Sequence, residues 1–182
     1  MDYNELLNHL QVVGKDPSRL IFEDELTGLY NRRFLYNYFQ QNIPWNALED
    51  NPLSLLMMDL DYFKRINDSY GHNVGDQALI WLANLLREAS GDKYLPIRYA
   101  GDEFMILMPL SRKKTAVSVA EKVIGLSHTK PMRLDESGKT LELTLSIGVA
   151  CAPEDANGDK ALIHKADTAL YYAKKAGRDR LA

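Results

Sequence analysis

Two pairs of carboxylates stand out by where they fall along the chain. Asp59 and Asp61 lie two apart at the end of an apolar run that starts at Leu53, so in an extended strand both side chains point to one face. Asp102 and Glu103 are adjacent and follow Ala100-Gly101 between two further apolar runs. Singly, each pair has an ordinary reading: Asp61 caps the next helix, Asp59 is a solvated strand end, and Asp102-Glu103 is a hairpin turn. Together they say more, because pairing the two strands in one sheet would gather three or four carboxylates. Such a cluster is unfavourable unless a cation neutralises it, and hard oxygen donors with room for water suit Mg²⁺. Magnesium at a sheet edge implies phosphates.

The stretch "FKRINDSYGHNVGDQAL" offers a second kind of chemistry. Asn67 both donates and accepts, and Asp76 only accepts, so the two could read a base edge that presents donors and an acceptor, as guanine does. Asn67 as a cap or turn residue, and Gly75-Asp76 as a helix start, are the plainer alternatives. Lys64 could meet a phosphate or stay a solvated lysine. Lys174 and Arg178 are four apart near the end of the last helical pattern, where cations are ordinary dipole partners. Gly177 breaks that pattern between them, which puts Arg178 on a turn, free to form a phosphate clamp with Lys174.

The elements that must hold these groups follow from periodicity. Helices are expected over about 31–41, 75–89, 113–126 and 159–175, and a strand over 53–61. A hairpin carries Asp102, and a ribbon with its turn at 135–138 has a strictly alternating second arm, "LELTLSIGVA", with Leu141, Leu143, Leu145, Ile147 and Val149 on one side. This order argues an α+β fold, a largely antiparallel sheet with helices packed on it. Residues 3–13 carry Leu6, Leu10 and Val13 at helical spacing, and Gly14 to Ser18 end that helix, so residues 1–19 read as an N-terminal helical stub or linker and 20–182 as the domain.

With 182 residues and 46% apolar content, the chain can bury one substantial core. Its 22 basic and 25 acidic residues leave a charge of −3, so no overall field recruits nucleic acid or an anionic membrane, and phosphate binding must be local. A lone cysteine, Cys151, excludes an intramolecular disulfide and reads as a small core residue. The acidic start lacks the order of a signal peptide and no apolar run approaches a membrane span, so a cytoplasmic setting is expected.

Five ordered blocks now resemble the GGDEF family of diguanylate cyclases: "DELTGLYNRRFL" from Asp24, "MMDLDYFKRINDSYGHNVGDQAL" from Met57, "RYAGDEF" from Arg98, "LTLSIGVA" from Leu143 and "ADTALYYAKKAGRDR" from Ala166. The resemblance implies a cyclase/polymerase-palm-like sheet of about five strands surrounded by helices. It implies a nucleotidyltransferase that condenses two GTP molecules into cyclic di-GMP with release of pyrophosphate, working as a homodimer under a linked or separate sensor module. Its metal site maps onto Asp59, the carbonyl of Leu60, Asp102 and Glu103, for two Mg²⁺ ions with Mn²⁺ as the alternative. Asp102 and Glu103 also count as catalytic, with Lys64 stabilising charge. Asn67 and Asp76 match the guanine readers, Leu26 adjoins the base, His72 lies in the same block, and Lys174 and Arg178 face phosphates. Gly101 would let the backbone approach the triphosphate.

Two departures carry expectations of their own. The signature's first glycine is Ala100, and a positive φ there would cost roughly 1 kcal/mol. Where many members carry an R-x-x-D product-inhibition motif, this chain has Gly91-Asp92-Lys93-Tyr94, so product should not feed back through that motif. The rival reading, a non-catalytic regulatory domain that binds GTP or cyclic di-GMP, would not need a complete metal site. A cyclase joining GTP to ATP is disfavoured by Asp76, since adenine N1 is itself an acceptor.

Overall fold

The structure, a computed structural model, describes residues 16–135 and 138–182. The expected helix over 3–13 and the two middle residues of the turn at 135–138 lie outside them. In chain order the elements are α1 (Pro17–Phe22), β1 (Tyr30–Asn31), α2 (Arg32–Asn42), β2 (Leu53–Leu60), α3 (Phe63–Tyr70), α4 (His72–Ser90), β3 (Leu95–Ala100), β4 (Glu103–Pro109), α5 (Lys113–Thr129), β5 (Met132–Arg133), β6 (Thr140–Leu141), β7 (Leu145–Ala152) and α6 (Asp159–Lys175).

β1, β3, β4, β2 and β7 form one sheet in that order, antiparallel except for the β1–β3 pair. The fold is the expected α+β arrangement. β2 lies inside the sheet between β4 and β7, buried on both faces, and its alternation sorts the core in two. Leu53, Leu55 and Met57 meet Leu35 and Phe39 of α2 and Leu162, Ala166 and Leu170 of α6. Leu56, Met58 and Leu60 meet Leu79, Leu82 and Leu86 of α4 and Ala116, Ala120 and Val123 of α5. On β4, Met105 and Leu107 belong to the first cluster, and Phe104, Ile106 and Met108 to the second. By the same alternation, Asp59 and Glu103 fall on the α2/α6 face.

Several expectations change in detail. Gly14 and Lys15, where a helix was expected to end, lie outside the described residues; at Asp16 a new helix begins, the Asp16 carboxylate accepting from the Ser18 backbone at 2.9 Å with Pro17 in the first turn. α4 opens at His72 rather than Gly75, because Gly71, at φ +83, ends α3 and starts α4 at once. The alternating arm is two strands: β6 pairs with β5 in a small ribbon, and only β7 joins the main sheet. Its apolar residues still share one side, with Leu143, Leu145, Ile147 and Val149 buried in the second cluster and Leu141 packed against it. Cys151 is buried, as expected.

Candidate active site

Register builds the site. Asp59, next to last in β2, stands opposite Glu103, the first residue of β4, and opposite Ser146 of β7. Asp102 and Gly101 form the turn that enters β4. Gly101 sits at φ +44, a left-handed conformation that favours glycine, with open space where a Cβ would stand. At Ala100 the condition for strain is not met: it lies within β3, paired with Glu103, and is not among the positive-φ residues, so the turn carries no strain there. A bulge between Arg98 and Ala100 takes up the irregularity. Arg98 braces the turn, donating through Nε to the Gly101 carbonyl at 3.0 Å and through Nη1 to Asp24 at 3.0 Å.

A cation is already at this edge. Lys174 of α6 places Nζ 2.8 Å from Asp59 Oδ2. Burial pushes the Asp59 carboxyl up to about 6, the nearby Asp102 and Glu103 add to the rise, and Lys174 opposes it. Burial also raises Glu103, helped by Asp102 and Asp167. These donors fit a hard divalent ion in their chemistry, since clustered carboxylate oxygens that burial and mutual repulsion penalise are what a cation relieves. They are not preassembled: no group of three or more His, Cys, Asp or Glu among the described residues is arranged to hold a metal ion, and Lys174 takes Asp59 itself. Leu60 ends β2 with its side chain in the core.

The expected base readers lie on neighbouring helices. Asn67 is on α3 and Asp76, exposed, on α4. Gly75 makes room between them: a Cβ added there would overlap Asn67 Oδ1, so the amide lies against the α4 backbone. Lys64 and His72 are exposed and Leu26 is half-buried against the core. Among the described residues, no hydrogen bond or ion pair given by the structure joins these three to the carboxylates. Arg178 follows the break at Gly177, as expected, and lies over Tyr62: its guanidinium is 4.6 Å from the centre of the Tyr62 ring, with Nε 3.9 Å from Asp61 Oδ1.

Asp61 itself overturns its ordinary reading as a helix cap. Tyr62, at φ 59, occupies the cap position of α3 with no side-chain hydrogen bond. Asp61 is buried and accepts from Thr144 Oγ1 at 2.8 Å, Ser146 Oγ at 2.7 Å and the Asp179 backbone N–H at 3.0 Å. Sequence reasoning missed Thr144, Ser146 and Asp179 as its partners and Arg98 as the brace of the turn. Their only signal was membership of the same quoted blocks.

A family model for the diguanylate cyclase GGDEF domain matches residues 21–180. The response regulator PleD of Caulobacter vibrioides is 36% identical over 162 residues, covering 88% of this chain and 35% of PleD. The cyclic di-GMP phosphodiesterase NbdA of Pseudomonas aeruginosa is 35% identical over 176 residues, covering 97% of this chain but 22% of NbdA. The solved GGDEF domain of TpbB from Pseudomonas aeruginosa superposes with a TM-score of 0.77 at 35% identity, covering 87% of this chain and 91% of that one. The chain thus spans about a third or less of the length of these two curated relatives. A match that runs from before β1 to beyond α6, on a fold of the same kind, makes this chain a member of the GGDEF family of diguanylate cyclase domains.

Proposed function

We propose that the chain is a diguanylate cyclase that condenses two GTP molecules into cyclic di-GMP. The observation that carries this reading is the Asp59–Glu103 pair facing across β2 and β4, with Asp102 in the turn beside them. Asp59, the Leu60 carbonyl, Asp102 and Glu103 would hold Mg²⁺ or Mn²⁺. Bound there, the metal supplies a lowered pKa for the attacking hydroxyl and spreads charge on the phosphates. In each half-reaction the 3′-hydroxyl of one GTP gives its proton to Asp102 as its oxygen bonds to the α-phosphorus of the other. The bond to the β-phosphate bridging oxygen breaks and pyrophosphate leaves. Asn67 and Asp76 orient the guanine, and Leu26 and His72 border the nucleotide. Lys64, Lys174 and Arg178 face the phosphates, and Gly101 keeps the turn clear for them. One domain holds one GTP, so two domains must face each other as a dimer. The domain over 20–182 would act in the cytoplasm, and a sensor module would control it. The two curated relatives, with most of their length outside the match, support that module. Among the described residues, no helix is long and apolar enough to cross a membrane.

A second reading, a regulatory domain that binds nucleotide without turnover, is supported by the match to a protein named as a phosphodiesterase and by the neutralisation of Asp59 by Lys174. The two separate in one experiment: incubation with GTP and Mg²⁺, with products identified by mass spectrometry. Cyclic di-GMP should form, faster than linearly with protein where dimers are scarce, and Asp59→Asn and Glu103→Gln should each abolish it. Nucleotide binding with no product at high protein concentration would leave the regulatory reading in place.

A further inference from the structure

We infer that Asp61 is the positioning residue of the phosphate clamp, holding the turn that carries Arg178 against the carboxylate edge; the inference rests on the reading of Arg178 as a phosphate-facing residue. Asp61 is a buried carboxylate, and such a group persists only when its oxygens are satisfied. Its partners come from two remote parts of the chain. Thr144 and Ser146 donate from the entry to β7, and the Asp61 backbone N–H donates to the Thr144 carbonyl at 2.9 Å. The third donor is the backbone N–H of Asp179, next to Arg178.

That third bond is the informative one. Arg178 and Asp179 are consecutive non-glycine residues at φ 64 and φ 48, a conformation that L side chains avoid and that the surroundings must enforce. Asp61 grips this turn through the Asp179 amide, while His128 of α5 holds the Asp179 side chain, Nε2 to Oδ1 at 2.8 Å. The turn is therefore pinned from both sides. Arg178 is left close to Asp61 without a hydrogen bond to it, at 3.9 Å, and rests on the Tyr62 ring. Its guanidinium donors stay available to a phosphate. The first aspartate of the pair faces the metal chemistry and the second fixes the cation that works beside it.

The test uses the whole chain and 3′-deoxy-GTP with Mg²⁺, which can bind but not condense, titrated by calorimetry against Asp61→Asn, Arg178→Ala and the double variant. Arg178→Ala should weaken binding by about tenfold or more, Asp61→Asn by a comparable factor, and the double variant by no more than about twofold beyond Arg178→Ala alone. In hydrogen exchange, the Asp179 amide should be protected in the parent and lose protection in Asp61→Asn without nucleotide. If Asp61→Asn does not fold, Thr144→Val with Ser146→Ala loosens the same carboxylate and takes its place. Binding by Asp61→Asn equal to the parent, or losses that multiply in the double variant, would overturn the inference. If Arg178→Ala binds like the parent, the phosphate-facing reading of Arg178 fails, and the exchange result then shows separately whether Asp61 holds the turn.

Discussion

Asp59 carries its charge between Lys174 and two other carboxylates, and burial has lifted its carboxyl from an ordinary 3.8 to about 6. For a carboxyl raised on folding, the stability it contributes is fully present below about 3.8 and is lost as pH rises through about 6. Asp59→Asn removes that titration. In metal-free buffer with a chelator, the melting temperature of the variant relative to the parent should rise between pH 4 and pH 7, by on the order of 5 °C. The comparison must be relative, because Asp24 titrates the other way. Burial raises Asp24, but hydrogen bonds from Thr27 and Arg98 outweigh it and hold the carboxyl below its ordinary value. Melting curves across that window settle the matter: a constant offset between the chains would mean that Asp59 is not penalised.

The α3–α4 pair depends on two glycines that do different work. Gly71 lets the chain end one helix and begin the next within a single residue, which is why the expected start at Gly75 came three residues late: the usual Ser, Thr, Asp or Asn cap is absent. Gly75 is a matter of space. Glycine to alanine inside a helix normally gains about 1 kcal/mol. Here the added methyl would drive the Asn67 amide off its seat. Gly75→Ala should therefore weaken GTP binding by about tenfold while leaving the affinity for inorganic triphosphate within about twofold, as only the base contact is lost. Calorimetry with both ligands measures this, and equal loss for the two would remove Asn67 from base reading. At the hairpin, Ala100→Gly has no strain to relieve, since Ala100 already lies in strand geometry.

At the scale of the whole molecule, the proposed phosphate clamp depends on how α6 sits across the sheet, because α6 and the turn after it carry Lys174 and Arg178. Gly148 of β7 sets that approach. A Cβ there would overlap the Ala166 carbonyl and the Leu170 backbone, so helix and strand meet main chain to main chain. The tail then runs beside β7, with Ile147 donating to the Arg180 carbonyl and Ala182 to the Ile147 carbonyl, each at 2.9 Å. Gly148→Ala must push α6 outward, at a cost of about 3 kcal/mol and roughly 6–12 °C in melting temperature. Thermal unfolding checks it; a variant melting within a degree of the parent would mean that α6 has slack. On the opposite side of the sheet from the α2/α6 face, Tyr94 is buried and shares a 3.3 Å hydrogen bond with Ser111. Tyr94, at the place where the expected product-inhibition motif would have its aspartate, thus serves the core here.

What the sequence determined by itself is whatever local spacing can specify. Period two placed Asp59 and Glu103 on a common face once their strands paired, and helical spacing marked α6 at the bounds it has, from Asp159 to Lys175. The ordered blocks identified the family. Tertiary structure decided the partners. Asp61 meets Thr144 from 83 positions away and the Asp179 amide from 118 positions away, separations at which no local pattern carries information. Likewise, the sign of φ at Ala100, the division of the 141–149 arm into two strands and the pairing of Lys174 with Asp59 depend on where the chain returns. Each is a balance of burial, charge and backbone hydrogen bonding that exists only after the sheet has closed around it.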